Sequence, residues 1–124
     1  PRTSFVITGN TVGNPDSAGS PLQNNNGILI NSGTLPDNVP QTCVEISGNT
    51  MSGNWGLAFN DDSIRYRHRG AAGSAFRVRN FTTGGDIDAF VTGINTAGAG
   101  TVDLFGFQLV GSNVFTGGTA ACPQ

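Results

Sequence analysis

The sequence predicts an all-β chain, a solenoid of stacked parallel strands with one short helix near its C-terminal end. Three observations predict it. The element Ile7-Thr8-Gly9-Asn10-Thr11-Val12-Gly13-Asn14 recurs as Ile46-Ser47-Gly48-Asn49-Thr50-Met51-Ser52-Gly53-Asn54. Each copy is followed by a second matching element, Gly27-Ile28-Leu29-Ile30-Asn31 and then Gly56-Leu57-Ala58-Phe59-Asn60. Two elements repeating in the same order mark a unit of structure. The third observation is composition. With 19 glycines in 124 residues and only 11% charged side chains, the chain is rich in Asn, Thr and Ser. Such a mixture suits short strands joined by tight turns, because Asn and Gly accept positive φ. Alternating Ile, Val and Phe positions argue against disorder.

The first copy runs from Phe5. Ile7 and Ile46 are 39 residues apart, whereas Ile28 and Leu57 are 29 apart, so the first copy carries a ten-residue excess. The stretch Asn14 to Asn26, with its Pro, Gly, Ser and Asn, is read as that surface loop. A second loop, Gly33 to Gln41, holds Pro36 and Pro40. In Ile28-Leu29-Ile30 and Val44-Glu45-Ile46 the apolar residues alternate at period two, as strands require. A unit this small cannot bury its apolar face alone, so successive units stack. Stacking places Ile46 over Ile7, Phe59 over Ile30 and Asn49 over Asn10, with the Asn amides hydrogen-bonded between layers.

Ile64-Arg65-Tyr66-Arg67-His68-Arg69 and Phe76-Arg77-Val78-Arg79 follow, separated by Gly70 to Ser74. Ile64, Tyr66, Phe76 and Val78 are expected to face a core and the arginines to face solvent. A hairpin and a pair of stacked layers both fit this segment. From Asp86 to Asn95 the apolar residues change to helical spacing. Thr83 or Gly85 is expected near the N-cap, Asp86 and Asp88 suit the first turn, and Asn95 or Gly98 ends the helix. Val102 to Phe115 returns to a strand pattern. The division expected is 1–82 for the coils and 83–124 for a helix-and-strand cap of the same domain.

The net charge of −2 excludes whole-molecule attraction to nucleic acid, and no apolar run is long enough to insert in a membrane. No segment resembles a signal peptide, and a chain beginning without methionine reads as a piece of a larger protein. Cys43 and Cys122 lack metal-site spacing, and the reading is a disulfide formed in an oxidising compartment, with two buried thiols as the alternative. No metal or cofactor is expected.

Five of the six arginines lie between positions 65 and 79. Arg65, Arg67, Arg69, Arg77 and Arg79 are therefore candidate ligands for an anion or acidic glycan, because guanidinium donors match carboxylate and sulfate. A solvated strand face is the alternative. Asp61-Asp62 has the residue types for a lyase-like acid cluster with Arg65, but Asn60 to Ser63 also reads as a turn. His68 has no nucleophile beside it and continues the alternation of Ile64 and Tyr66. No catalytic residue is assigned.

The paired Ile-Thr/Ser-Gly-Asn-Thr and Gly-Ile-Leu-Ile-Asn/Gly-Leu-Ala-Phe-Asn elements resemble coils of right-handed parallel β-helix repeat proteins. The Arg-alternating strand, helix and terminal Ala-Cys-Pro resemble the C-terminal end of large secreted bacterial members, many adhesin-like. This resemblance implies a right-handed parallel β-helix with a C-terminal cap and a structural role in a secreted or cell-surface fibre. The implied partners are upstream β-helix coils or neighbouring subunits. The fold also hosts pectate-lyase-like enzymes, so a polysaccharide-binding or polysaccharide-cleaving module is the alternative.

Overall fold

Gly9 and Gly48 adopt the left-handed conformation, with φ of 69° and 66°, and each turns the chain between two strands. These corners set the architecture of the computed structural model, which describes residues 2–13, 26–33, 38–53, 55 and 62–124. In chain order the elements are β1 (Arg2–Thr8), β2 (Thr11–Gly13), β3 (Ile28–Ser32), β4 (Gln41–Ser47), β5 (Thr50–Ser52) and β6 (Ile64–His68). Then come β7 (Ala75–Val78), α1 (Ile87–Ile94), β8 (Thr96–Ala97), β9 (Phe105–Leu109) and β10 (Phe115–Thr116).

Consecutive strands are dealt in turn to three sheets. Sheet A has the order β1-β4-β7-β10, sheet B β2-β5-β8 and sheet C β3-β6-β9, and every pairing is parallel. The described residues are thus mostly strand with one short helix. Its strands fall in rows: β1-β2-β3, β4-β5-β6, then β7-β8-β9, with β10 beginning a fourth. In sheet A, Ile7 pairs with Ile46.

Sheet C corrects the second half of the expected repeat. Ile28 pairs with Ile64 and Ile30 with Tyr66, so the partner of β3 is β6. Phe59, expected over Ile30, lies outside the described residues, as does the rest of Gly56 to Asn60. The inserted length shrinks accordingly. Fourteen residues separate β2 from β3 and eleven separate β5 from β6, an excess of three instead of ten. The open choice at residues 64–79 is also decided: β6 and β7 do not pair as a hairpin but enter sheets C and A. Residues 83–124, read as a cap, contribute α1 and also one strand to each sheet.

One hydrophobic cluster draws on all three sheets and the helix: Ile28, Ile30, Val44, Ile46, Met51, Ile64, Tyr66, Phe76, Val78, Phe105 and Phe115, with Phe81, Ile87 and Val91. Tyr66 is its aromatic hub, with ring centroids 5.1, 5.2 and 6.0 Å from Phe105, Phe76 and Phe115. The N-cap of helix α1 is Asp86, not Thr83 or Gly85, and its carboxylate accepts the Ala89 N–H at 3.1 Å. Its buried Ile87 and Val91 pack the helix against β4, β8 and β9. No helix among the described residues is long and apolar enough to cross a membrane.

Cys43 and Cys122 form a disulfide across 79 residues of sequence. It pins the C-terminal tail to β4 and is compatible with an oxidising, extracellular location. Arg77 assists by donating to the carbonyls of Ala120 and Ala121 at 2.6 and 3.1 Å.

Candidate functional site

Asparagine side chains at the corner between sheets A and B form a three-rung ladder. The Asn10 backbone N–H and Nδ2 both donate to Asn49 Oδ1, at 2.9 and 3.1 Å. The Asn49 N–H and Nδ2 donate in the same way to Asn95 Oδ1, both at 3.1 Å. The remaining amide hydrogens reach main-chain carbonyls: Asn10 to Thr8, Asn49 to Ile7, Asn95 to Ile46. Asn49 is wholly buried, so each of these bonds replaces lost water.

The third rung was hidden in the sequence. Ile94-Asn95-Thr96 keeps the Asn-Thr of Gly9-Asn10-Thr11 and Gly48-Asn49-Thr50 but lacks the glycine. The end of α1 does the turning there, so no left-handed residue is needed. Asn95 is both helix C-cap and ladder rung.

The arginines do not form one array. Arg65, Arg67 and Arg69 belong to sheet C and its following loop, while Arg77 and Arg79 belong to sheet A and its following turn. Arg79 pairs with Glu45 at 2.7 Å, Arg77 holds the tail, and Arg69 donates to Asn31 Oδ1 at 2.9 Å. Arg65 corrects the expectation of a solvated row. It is 1% exposed and its guanidinium meets the Asp62 carboxylate at 2.5 Å. Burial next to a carboxylate three residues earlier removes it from any ligand face. Asp62 is itself buried, while Asp61 lies outside the described residues. Arg67 receives no acceptor from the described residues. Burial first, then the neighbouring Arg65 and Arg69, lower its pKa.

Asp62, Arg65, Asp88 and Asp103 surround a small recess floored by Phe105, Gly106 and Phe107. Asp103 is shifted up by burial, by a side-chain hydrogen bond with Asp62 and by the charges of Asp62 and Asp88. Asp88 is shifted up by burial and by Asp86 and Asp62. Asp62 and Asp103 stand in hydrogen-bond contact, whereas glycan hydrolysis needs its pair roughly 5–10 Å apart across the substrate. Gly106 is required here, because a side chain would collide with the Asp62 carboxylate. Among the described residues no group of three or more Asp, Glu, His or Cys side chains is placed to hold a metal ion.

His68 lies in the core, 0% exposed, beside Phe76 and Phe115, and neither ring nitrogen has a partner among the described residues. Burial lowers its pKa. A larger open groove of about 750 Å³ lies where the tail crosses sheet A, lined by Arg2, Ser4, Val6, Gln41, Arg77 and Gln124 among others. Its described lining contains no Asp, Glu or His side chain. Comparison with known proteins finds no matching family model, no matching curated protein and no matching solved structure.

Proposed function

We propose that this chain is a structural module: coils of a right-handed parallel β-helix from a secreted or cell-surface bacterial fibre or adhesin, stacking through the end formed by β1, β2 and β3. The observation that carries the reading is the strand order. Successive strands enter three parallel sheets in strict rotation, and the asparagine ladder runs through the rows in register. Repetition at this spacing is what stacked coils produce. Among the described residues β1, β2 and β3 have a strand on one side only, and an uncovered edge of this length invites a further row. The resemblance of the Gly-Asn-Thr corners and the Cys-bearing tail to secreted β-helix proteins supplies the location. The test is amide exchange on β1, β2 and β3 in the purified chain and in the parent assembly. Faster exchange in the isolated chain is expected; equal exchange in both sinks the stacking role.

A second reading, binding of an acidic polysaccharide, is favoured by one observation. Asn31, Arg67 and Gln108 lie in register across the outer side of sheet C, and Arg67 there lacks an acceptor from the described residues. Arg67→Gln is expected to abolish any retention on a sulfated or uronic-acid glycan column. Retention that survives it removes this reading.

A further inference from the structure

We infer that the β1-β2-β3 end selects its partner through the polarity of the asparagine ladder, and that the partner is a preceding coil of the same polypeptide carrying its own Asn at the corner. This inference rests on the structural reading above. The ladder is directional. Asn49 Oδ1 and Asn95 Oδ1 each accept two hydrogen bonds from the row before, and the Asn10 and Asn49 amides each give one hydrogen to the row after. Asn10 Oδ1 is the member that no donor reaches among the described residues. At the opposite end Asn95 has spent both amide hydrogens, on the carbonyls of Ile46 and Val91. The ladder is therefore terminated by the last turn of α1 and left as a bare acceptor at Asn10.

The sheet edges carry the same asymmetry. Beyond the last row the edges are β10 and β8, of two residues each, and β9, with α1 packed on β8 and β9. On the first row the edges are β1, of seven residues, β2, of three, and β3, of five. Phe5, Ile7 and Val12 pack on the core but stay only partly buried. Short edges resist strand addition and long ones accept it.

Two occupants fail on this chemistry. A second copy placed first row to first row sets Asn10 Oδ1 against Asn10 Oδ1, acceptor against acceptor. A second copy placed last row to first row brings Asn95, whose side-chain donors are spent. A coil with a Gly-Asn-Thr corner supplies both the N–H and the Nδ2 that Asn10 Oδ1 accepts. The chain enters β4 from β3 and β7 from β6, so the coil fitting ahead of β1 is one whose third strand leads into Arg2.

The experiment places a copy of Gln41 through Ser74, one complete row with its connection, directly ahead of Arg2. Because Arg2, Gln41 and Ala75 share a register, the join keeps the ladder in phase. Amide exchange at Phe5, Ile7 and Thr11 is expected to slow by about tenfold or more. Asn49→Ala in the added copy is expected to remove most of that protection. Equal protection with and without this substitution overturns ladder selection while leaving stacking intact. An added row that stays unstructured, with β1 exchange unchanged, overturns both. The unextended chain is expected to sediment as a monomer at all concentrations; end-to-end self-association overturns the exclusion of a second copy.

Discussion

At the scale of single residues, the buried polar groups divide into those the fold has answered and those it has not. Asn49 is answered four times over. Asn49→Ala strips partners from Asn10 and Asn95 and opens a gap in the core wall, and it is expected to cost about 2–4 kcal/mol in urea denaturation. Tyr66 is unanswered: its ring is the aromatic hub, but its hydroxyl has no partner among the described residues and burial pushes the phenol pKa up. Tyr66→Phe removes an unpaired hydroxyl and keeps the ring, so stability should rise, by about 1 kcal/mol. A loss of more than that in the same denaturation assay would show a hidden partner for the hydroxyl. Asn10 and Asn49 were legible because a glycine-asparagine corner has a turn mechanism. Asn95 was legible only as a helix stop, since the sequence around it carries a helical period. Arg65 was misread for a physical reason. Strand alternation sends it away from the core, and nothing local reveals that it is buried there together with Asp62.

At the scale of elements, the contact between α1 and the edge of sheet C is electrostatically loaded. Asp88 comes from the helix, Asp103 from the approach to β9 and Asp62 from the approach to β6, with Arg65 the balancing cation. Asp88 and Asp103 have folded pKa values above the ordinary 3.8, so the folded state binds more protons than the unfolded one. Their effect is to increase stability as pH falls through those raised values. His68 works the other way. Its folded pKa lies below the ordinary 6.5, so its contribution is present above that value and is lost as pH falls below it. Asp103→Asn is therefore expected to raise the melting temperature at neutral pH and to leave the acid-side decline of His68 uncompensated. A melting profile between pH 7 and pH 4 that matches the parent chain at every point would refute the role of Asp103. The pairing of β3 with β6 was the element least legible in the sequence. Similarity drew Gly27 to Asn31 towards Gly56 to Asn60, yet a parallel ladder asks only for period two and β propensity. Ile64, Tyr66 and His68 meet those demands without resembling Ile28, Ile30 and Ser32.

At the scale of the whole molecule, the rows interact with their sequence neighbours and the disulfide adds a long-range tie. Two cysteines with no metal spacing made this pairing readable. Closing 79 residues of chain stabilises by about 4–5 kcal/mol in the loop-entropy account. Cys43→Ser with Cys122→Ser should lower unfolding free energy by roughly 2–5 kcal/mol. It should also loosen the tail that Arg77 holds, seen as faster exchange at residues 117–124. The strand-rich character of the described residues and helix α1 were legible because composition and period report them directly. The third row was not legible as a row, because α1 interrupts its corner and β8 has only two residues.

The tie between Cys43 and Cys122 also decides how the chain meets a mechanical load. Tension applied between Arg2 and Gln124 runs through β1, β2, β3 and the start of β4, then crosses the sulfur–sulfur bond and leaves through Pro123. Residues 44–121 are bypassed. Only about forty residues before Cys43 can be drawn out, roughly 140 Å of contour at 3.3–3.6 Å per residue. Single-molecule stretching of the oxidised chain should stop at that extension, and a reducing agent should bring the total to nearly three times that length. The first row is the extensible part, and the helix and the rows beyond it are shielded from the pull.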